Sequence, residues 1–185
     1  MRPLLTIVTR TFGARPTLYK KHQESIRSQT CQDYEILTIT NSRSGVFQAN
    51  QSLYAFRKRI TGNYVHILDD DDRYIDESVI EEFKQIITTN PGLEVVLCRM
   101  QRPDRIVPDD RHWGRRPVGG HIGSPCFFVR RDLYQKYIIH FGRPTRGDFA
   151  FINAMWPHLT KVYWWNRIVA DIMVVSHGAA EVISE

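Results

Sequence analysis

Residues 64–72 read YVHILDDDD, a short apolar run followed directly by four aspartates. The apolar run predicts a buried strand, and the helix-like residues after it predict a strand–loop–helix unit. Four adjacent carboxylates repel one another unless a cation lies among them, and Mg²⁺ and Mn²⁺ prefer such oxygen ligands and share them with substrate phosphates. The stretch therefore predicts a metal–phosphate site at the carboxyl edge of an α/β sheet, where open sheets bind ligands. An acidic turn that caps the next helix is the alternative, and it suits Asp72 in particular.

Strand-like and helix-like segments alternate on both sides of this stretch. The short apolar runs that predict strands are residues 4–9, 34–40, 64–68, 93–98, 126–130 and one or two within 161–175. The segments with apolar side chains at helical spacing are residues 15–29, 46–60, 78–89, 131–141 and 149–158. Residues 101–123, rich in Arg, Pro and Gly, predict a long functional or mobile loop. This order predicts an α/β fold in one compact domain, with a mostly parallel central sheet flanked by helices.

The composition restricts the class of protein. With 185 residues and 42% hydrophobic composition, the chain has enough apolar material for one domain with a core, and 24% charged residues argue against disorder. There is no apolar run long enough for a transmembrane helix, and the apolar start is too short for a signal peptide. Three widely spaced cysteines predict reduced thiols in a cytoplasmic protein.

The net charge of +5 comes mainly from two basic stretches, residues 99–116 and 130–146. Such stretches attract nucleic acid, anionic lipid or phosphorylated substrates, although a solvated surface is their commoner meaning. A basic nucleic-acid-binding module is disfavoured because four aspartates repel phosphate. A phosphorylated or lipid-linked substrate, with peripheral contact to a membrane, is compatible with the charge.

Several blocks of the sequence carry a resemblance to a known family. They are LTIVTRT (5–11), ESIRSQT (24–30), DYEIL (33–37), GNYVHILDDDD (62–72), FFVRRDL (127–133) and GDF (147–149). Together they resemble family 2 glycosyltransferases with the GT-A fold, and the block at 62–72 is similar to the family's strand that ends in the DxD motif. The resemblance implies a single GT-A domain over residues 1–185, with a nucleotide-binding half (1–100) and an acceptor-side half (101–185).

The resemblance also implies roles for the residues that match the family's metal and nucleotide sites. Asp71 is expected to ligate Mn²⁺ or Mg²⁺ directly, Asp69 to act on the ion through water or from outside its direct ligands, and Asp70 to lie near the ribose. His177 falls where several GT-A enzymes have a third metal ligand, and an exposed histidine at a strand end is its alternative.

The polar residues after the first two strands match the family's base-binding region. Thr9, Arg10 and Thr11 end the first strand, where the family's chain wraps the nucleobase and ribose. Asn41 stands where the family usually has an aspartate that contacts the base. An asparagine amide both donates and accepts, so it can pair with a uracil edge.

Asp148 falls where the family carries its catalytic acid, at the start of a helix. Its expected role is general base, which removes a proton from the acceptor hydroxyl. A helix N-cap is the alternative. One base without a second catalytic carboxylate implies direct displacement with inversion, because a retaining double displacement needs a nucleophile.

The sequence therefore predicts an inverting glycosyltransferase of the hexosyltransferase type. It would move a sugar from a nucleoside diphosphate, UDP by resemblance, to a hydroxyl of a glycan, lipid-linked or protein acceptor. Three alternatives stay open: a nucleotidyltransferase on a similar sheet, a nucleic-acid-binding module, and a degenerate glycosyltransferase that only binds. Among the aromatic side chains, Trp113 is the expected acceptor contact, whereas Trp156, Tyr163, Trp164 and Trp165 are expected in the core.

Overall fold

The computed structural model describes residues 2–41 and 45–173 of the chain. The strands are β1 (Leu5–Thr11), β2 (Tyr34–Thr40), β3 (Tyr64–Ile67), β4 (Asp72–Tyr74), β5 (Val95–Gln101), β6 (Ile106–Val107), β7 (Phe127–Arg130) and β8 (Val162–Ile172). The helices are α1 (Pro16–Arg27), α2 (Val46–Phe56), α3 (Val79–Thr89), α4 (Arg131–Tyr137) and α5 (Gly147–Met155). Short 3-10 turns follow at Arg57–Arg59, Ser124–Cys126, Ile138–Phe141 and Trp156–His158.

These elements agree with the hydrophobic pattern, with shifts at their ends. Helix α1 starts at Pro16, whose fixed φ suits a first helical turn, and it buries His22 and Ile26. The predicted helices at 46–60 and 131–141 are shorter than expected, because each changes to a 3-10 turn in its last residues. Strand β5 extends beyond the predicted range, because its last residues also pair with β6 and β8.

One sheet contains all the strands, in the order β2-β1-β3-β7-β5-β8-β4, with β6 attached to β5. Its longest pairings are parallel, β1 with β2 and β5 with β8, and β1 also pairs in parallel with β3. Strand β7 lies antiparallel between β3 and β5, and β4 is antiparallel to β8. The predicted mostly parallel sheet is confirmed, with antiparallel strands inserted in its second half.

Aromatic side chains build the centre of the core. The buried ring of Phe128 stacks on His66, with centroids 4.0 Å apart, and on Phe83, with centroids 4.3 Å apart. His66 is fully buried and its two nitrogens bond to the Tyr74 hydroxyl (3.0 Å) and the Pro125 carbonyl (3.0 Å). The aromatic group near the end of the chain packs partly buried against this core, as expected: Trp156, Tyr163, Trp164 and Trp165.

Asp72 does not cap a helix, so that expectation is wrong. It begins β4, and α3 begins only at Val79. The Asp72 carboxylate instead accepts a hydrogen bond from the backbone N–H of Asp69 (3.1 Å), whose carbonyl accepts from the N–H of Asp72 (2.9 Å). The four aspartates therefore form a tight turn, because β4 must reverse to pair with β8.

The cysteines Cys31, Cys98 and Cys126 are buried free thiols. Burial raises the pKa of Cys98, and it raises the pKa of Cys126 to about 12, so these thiols stay protonated at neutral pH. Within the described ranges, no helix has the length and apolarity that crossing a bilayer requires.

Candidate active site

A cleft of about 420 Å³ lies at the carboxyl ends of β1, β2 and β3, within the size range of small-molecule sites. The parallel register aligns these ends, since Thr11 pairs with Thr40 and Val8 with Ile67. The cleft is lined by Arg10, Thr11, Phe12, Arg15, Asn41, Gly45, Val46, Ala49, Asn50, Asp69, Asp71, Arg102, Gly120, Ile122, Ser124, Phe141, Pro144, Thr145, Arg146, Gly147 and Asp148. Most of the expected site residues therefore share one cavity.

The aspartate turn presents alternate side chains to the cleft. Asp69 and Asp71 line the cleft, whereas the side chain of Asp70 is fully buried beneath it. Burial raises the pKa of Asp70 to about 6. Burial and the neighbouring charge of Asp69 raise the pKa of Asp71. The turn therefore holds carboxylates in a setting that favours a nearby positive charge.

Two arginines supply positive charge to this turn. Arg10 holds Asp69 in a two-pronged pair, with its Nε donating to Oδ1 at 2.7 Å and its Nη2 donating to Oδ2. Burial alone would lower the pKa of Arg10, but the Asp69 carboxylate more than offsets this, so the pKa is raised. Arg15 donates to Asp71 through Nη1, and its Nη2 lies 2.8 Å from Oδ1 of Asp70. The sequence predicted that these acids need a nearby cation, and here the guanidinium groups of Arg10 and Arg15 supply the positive charge.

The carboxylates also fit a hard divalent ion. Asp69 and Asp71 offer oxygen ligands at the cleft surface, the type that Mg²⁺ and Mn²⁺ prefer. Both carboxylate oxygens of Asp70 are buried without a hydrogen-bond partner, although Arg15 forms an ion pair with one of them. Arg15 donates to Oδ2 of Asp71, so an ion on this carboxylate would either displace Arg15 or share the group with it through Oδ1. His177, the expected third ligand, lies outside the described residues.

Asn50 connects Arg10 to the second half of the chain and was not expected from the sequence. Its Oδ1 accepts from Nη1 of Arg10 (2.6 Å), and its Nδ2 donates to the carbonyl of Arg143 (2.9 Å). The side chain is buried on α2. An asparagine on the apolar face of a helix was the only signal that could have found it, because a buried amide needs partners.

Asp148 lies inside the first turn of α5 and lines the cleft. The N-cap position belongs to Arg146, which has a left-handed backbone (φ 54°), and no side chain caps the helix. The Asp148 carboxylate accepts from the N–H of Phe149 (2.7 Å). Gly147 packs so closely on the Phe141 carbonyl that a side chain would collide with it, which fixes where Asp148 leaves the backbone. The structure therefore does not place Asp148 as an N-cap.

The residues expected to contact the nucleotide divide into two groups. Arg10, Thr11 and Asn41 line the cleft, and the N–H of Asn41 donates to the carbonyl of Thr11 (2.8 Å). Thr9 is buried beneath the cleft, where its hydroxyl bonds to Nε2 of His22 (2.9 Å). Nδ1 of His22 donates to the carbonyl of Asp72 (2.8 Å), so Thr9 supports the aspartate turn from below.

The 101–123 loop forms another wall of the cleft, through Arg102, Gly120 and Ile122. The loop is irregular as predicted, apart from the two residues of β6. Trp113, the expected acceptor contact, does not line the cleft and instead packs edge-on against Trp164 (5.0 Å between centroids).

No protein-family model and no curated protein matches the sequence. The structure is similar to S. aureus TarS residues 1–349 in complex with UDP-GlcNAc, with a TM-score of 0.70 and 14% identity over 100% of this chain and 62% of that one. The chain spans only 37% of the longer TarS structure.

Two further glycosyltransferase structures are similar. A glycosyltransferase involved in glycosylation of the major capsid of the virus PBCV-1 matches with a TM-score of 0.63 and 13% identity, over 94% of this chain and 95% of that one. The mannosyltransferase PcManGT from Pyrobaculum calidifontis, in complex with GDP-Man and Mn²⁺, matches with a TM-score of 0.62 and 15% identity, over 96% of this chain and 59% of that one. The predicted fold is therefore confirmed: the chain has the GT-A-like α/β fold of these glycosyltransferases.

Proposed function

We propose that the protein is an inverting glycosyltransferase that moves a sugar from a nucleoside diphosphate to a hydroxyl acceptor. The observation that carries this proposal is the meeting of three features in one cleft: the aspartate turn, the arginines paired with it, and Asp148. Similar folds occur in TarS with UDP-GlcNAc and in PcManGT with GDP-Man. UDP is the expected nucleotide by the resemblance to family 2 glycosyltransferases, and the amide of Asn41, which lines the cleft, can pair with a uracil edge.

The donor diphosphate would lie beside the aspartate turn. Arg10 and Arg15 line the cleft, and they would bind phosphate oxygens through the N–H groups that their aspartate partners leave unused. Asp69 and Asp71 would hold Mn²⁺ or Mg²⁺, as the oxygen donor set suits either ion. When bound, such an ion would neutralise the charge that develops on the leaving diphosphate.

Asp148 would act on the acceptor. Its carboxylate takes the proton of the acceptor hydroxyl as that oxygen bonds to the anomeric carbon. The bond between the anomeric carbon and the diphosphate oxygen breaks, and the electron pair leaves with the diphosphate. Because attack comes from the face opposite the leaving group, the configuration inverts. Arg102 and Arg146, which also line the cleft, suit an acceptor that carries negative charge.

The nucleic-acid-binding alternative loses support from the pairing of the basic stretches. Arg99 forms an ion pair with Asp110 (2.8 Å), and Arg130 with Asp132 (2.7 Å). Paired arginines offer less net charge to a phosphate backbone than their number suggests.

Thermal unfolding with UDP, in Mn²⁺ and in EDTA, tests the proposal. A ligand that binds only the folded state raises the melting temperature with its concentration relative to Kd. We expect UDP to stabilise the protein far more with Mn²⁺, and Asp71→Asn to abolish the difference. The matched control is Asp132→Asn, which replaces an exposed acid on α4 and should keep the difference between Mn²⁺ and EDTA. Equal stabilisation with and without Mn²⁺ argues against the metal-assisted site, and no stabilisation by any nucleoside diphosphate argues against the function.

A further inference from the structure

Three metal-ligating side chains that do not belong to the aspartate turn converge on the 101–123 loop. Nδ1 of His112 lies 2.6 Å from Oδ1 of Asp109, and Nδ1 of His121 lies 3.8 Å from Oδ2 of the same carboxylate. The ligand atoms of the three residues all lie within 4.8 Å of one another. One nitrogen thus faces each oxygen of a single carboxylate, and the 2.6 Å contact is a hydrogen bond that a bound ion would replace.

These distances are close to those around a four-coordinate ion. Ligands bonded at about 2.0–2.2 Å in a tetrahedral arrangement lie about 3.4 Å apart. The shorter nitrogen–oxygen distance would have to lengthen and the longer one to shorten, each by less than about 1 Å. The two imidazole rings stack with centroids 3.8 Å apart, so both nitrogens reach the carboxylate together. Small side-chain rotations therefore suffice.

The backbone that carries these ligands is anchored on both sides. Val107 and Ile122 flank the cluster and are buried, with 1% and 4% of their surfaces exposed. The carbonyl of Asp109 accepts from the N–H groups of His112 (3.1 Å) and Trp113 (3.0 Å), which closes a turn around the first two ligands. Because the turn already exists, an ion would have little chain left to order.

The ligands are also accessible to an ion. The side chains of Asp109, His112 and His121 keep 40%, 26% and 35% of their surfaces exposed. Two imidazoles with one carboxylate form the donor set of Zn²⁺ and related transition ions, whereas Mg²⁺ prefers oxygen alone.

We infer that Asp109, His112 and His121 form a divalent transition-metal site of the Zn²⁺ class. Three protein ligands leave a fourth position for water or another ligand. The site is separate from the ion proposed at Asp69 and Asp71, and it does not depend on the proposed function.

The site would act on the cleft through the loop. Gly120 and Ile122, which line the cleft, are the neighbours of His121 in sequence. An ion that holds His121 against Asp109 would fix this wall of the cleft and restrict the movement of the loop.

Isothermal titration of the full chain with Zn²⁺ tests the inference. We expect binding of one ion to be lost or weakened at least about tenfold in His112→Asn and in His121→Asn, because replacing even outer partners of a metal ligand costs about 10–100-fold in affinity. His158→Asn, which replaces an exposed histidine outside the cluster, should bind Zn²⁺ as the wild type does. No Zn²⁺ binding by the wild type, or unchanged binding in both His112→Asn and His121→Asn, overturns the inference.

Limited trypsin digestion gives a second readout that needs no activity. Arg111 and Arg115 are exposed next to the proposed ligands. Zn²⁺ should slow cleavage at both in the wild type and have no effect in His121→Asn. The same melting temperature for variant and wild type in EDTA verifies that the variant folds. Equal slowing by Zn²⁺ in the two proteins would show that the ion binds elsewhere and would overturn the inference.

Discussion

Arg15 forms an ion pair with Asp70 beneath the cleft, with its Nη2 atom 2.8 Å from Oδ1 of the aspartate. The side chain of Arg15 is 8% exposed and that of Asp70 is not exposed at all. The same guanidinium also pairs with Asp71, a proposed metal ligand. Arg15 therefore stabilises the aspartate turn without an ion, and it would have to share or release Asp71 when one binds.

Arg15→Gln should destabilise the protein and make its stability depend more on Mn²⁺. Removing one partner of a buried pair leaves the other charge uncompensated, which costs about 3 kcal/mol or more. A divalent ion can replace the lost positive charge, so Mn²⁺ should raise the free energy of unfolding more in the variant than in the wild type. Urea unfolding in EDTA and in Mn²⁺ measures both effects.

The control for that experiment is Arg73→Gln. Arg73 pairs with Asp171 at 2.8 Å at the surface, with 45% of its side chain exposed. Surface pairs contribute about 0–1 kcal/mol, and the guanidinium of Arg73 pairs with Asp171 rather than with a carboxylate of Asp69, Asp70 or Asp71. An equal Mn²⁺ effect in Arg15→Gln and the wild type would mean that the ion and Arg15 do not compete.

Asp148→Asn should reduce turnover by about 10²–10⁴-fold, the usual contribution of a general base. Asparagine has almost the same shape but takes no proton at neutral pH. UDP binding in Mn²⁺ should survive, since Asp148 is expected to face the acceptor. Steady-state kinetics on a confirmed acceptor, with thermal shifts for binding, measure both. A variant that keeps near-normal turnover would exclude Asp148 as the base.

The 101–123 loop should become harder to cleave when nucleotide binds. Arg105 and Arg115 are exposed, Arg102 lines the cleft, and trypsin should cut at these residues first. A closing wall excludes water from the reacting centre, so UDP with Mg²⁺ in Zn²⁺-free buffer should slow the cutting. Mass spectrometry of early fragments locates the cuts. A cutting rate that UDP leaves unchanged would argue against closure on the donor.

His66 should make stability fall at acidic pH. Burial lowers its pKa from 6.5 to about 4, and its Nε2–H donates to the Pro125 carbonyl while Nδ1 accepts from the Tyr74 hydroxyl. The unfolded chain binds this proton at higher pH than the folded chain. The contribution of the neutral ring is therefore complete above pH 6.5 and falls by roughly 3 kcal/mol as the pH drops to 4.

The measurement is the difference in unfolding free energy between the wild type and His66→Gln, followed from pH 7 to pH 4 by urea unfolding. Glutamine does not titrate, so groups common to both proteins cancel in the difference. The advantage of the wild type should shrink steadily as the pH falls. A constant difference across this range would mean that His66 does not titrate differently in the folded state.

The sequence by itself determined the α/β fold, the mostly parallel sheet and the acidic end of β3. Strands β1 and β3 are short apolar runs that are buried almost throughout, and the aspartates follow β3 directly. Such patterns are local: a run of apolar residues must be buried wherever the chain goes, and the carboxyl ends of parallel strands meet at one edge. Asp69, Asp71 and Asp148, which the sequence singled out, all line one cleft in the structure.

Only the tertiary structure decided which charges meet. Arg10 and Asp69 are 59 residues apart in sequence, and Arg15 and Asp71 are 56 apart. Asp72 begins β4 because it pairs with β8, which lies about a hundred residues further along the chain. No local rule distinguishes such a strand start from a helix cap. Local periodicity fixes which side chains are buried, whereas contacts between distant polar groups depend on how the strands are ordered in the sheet.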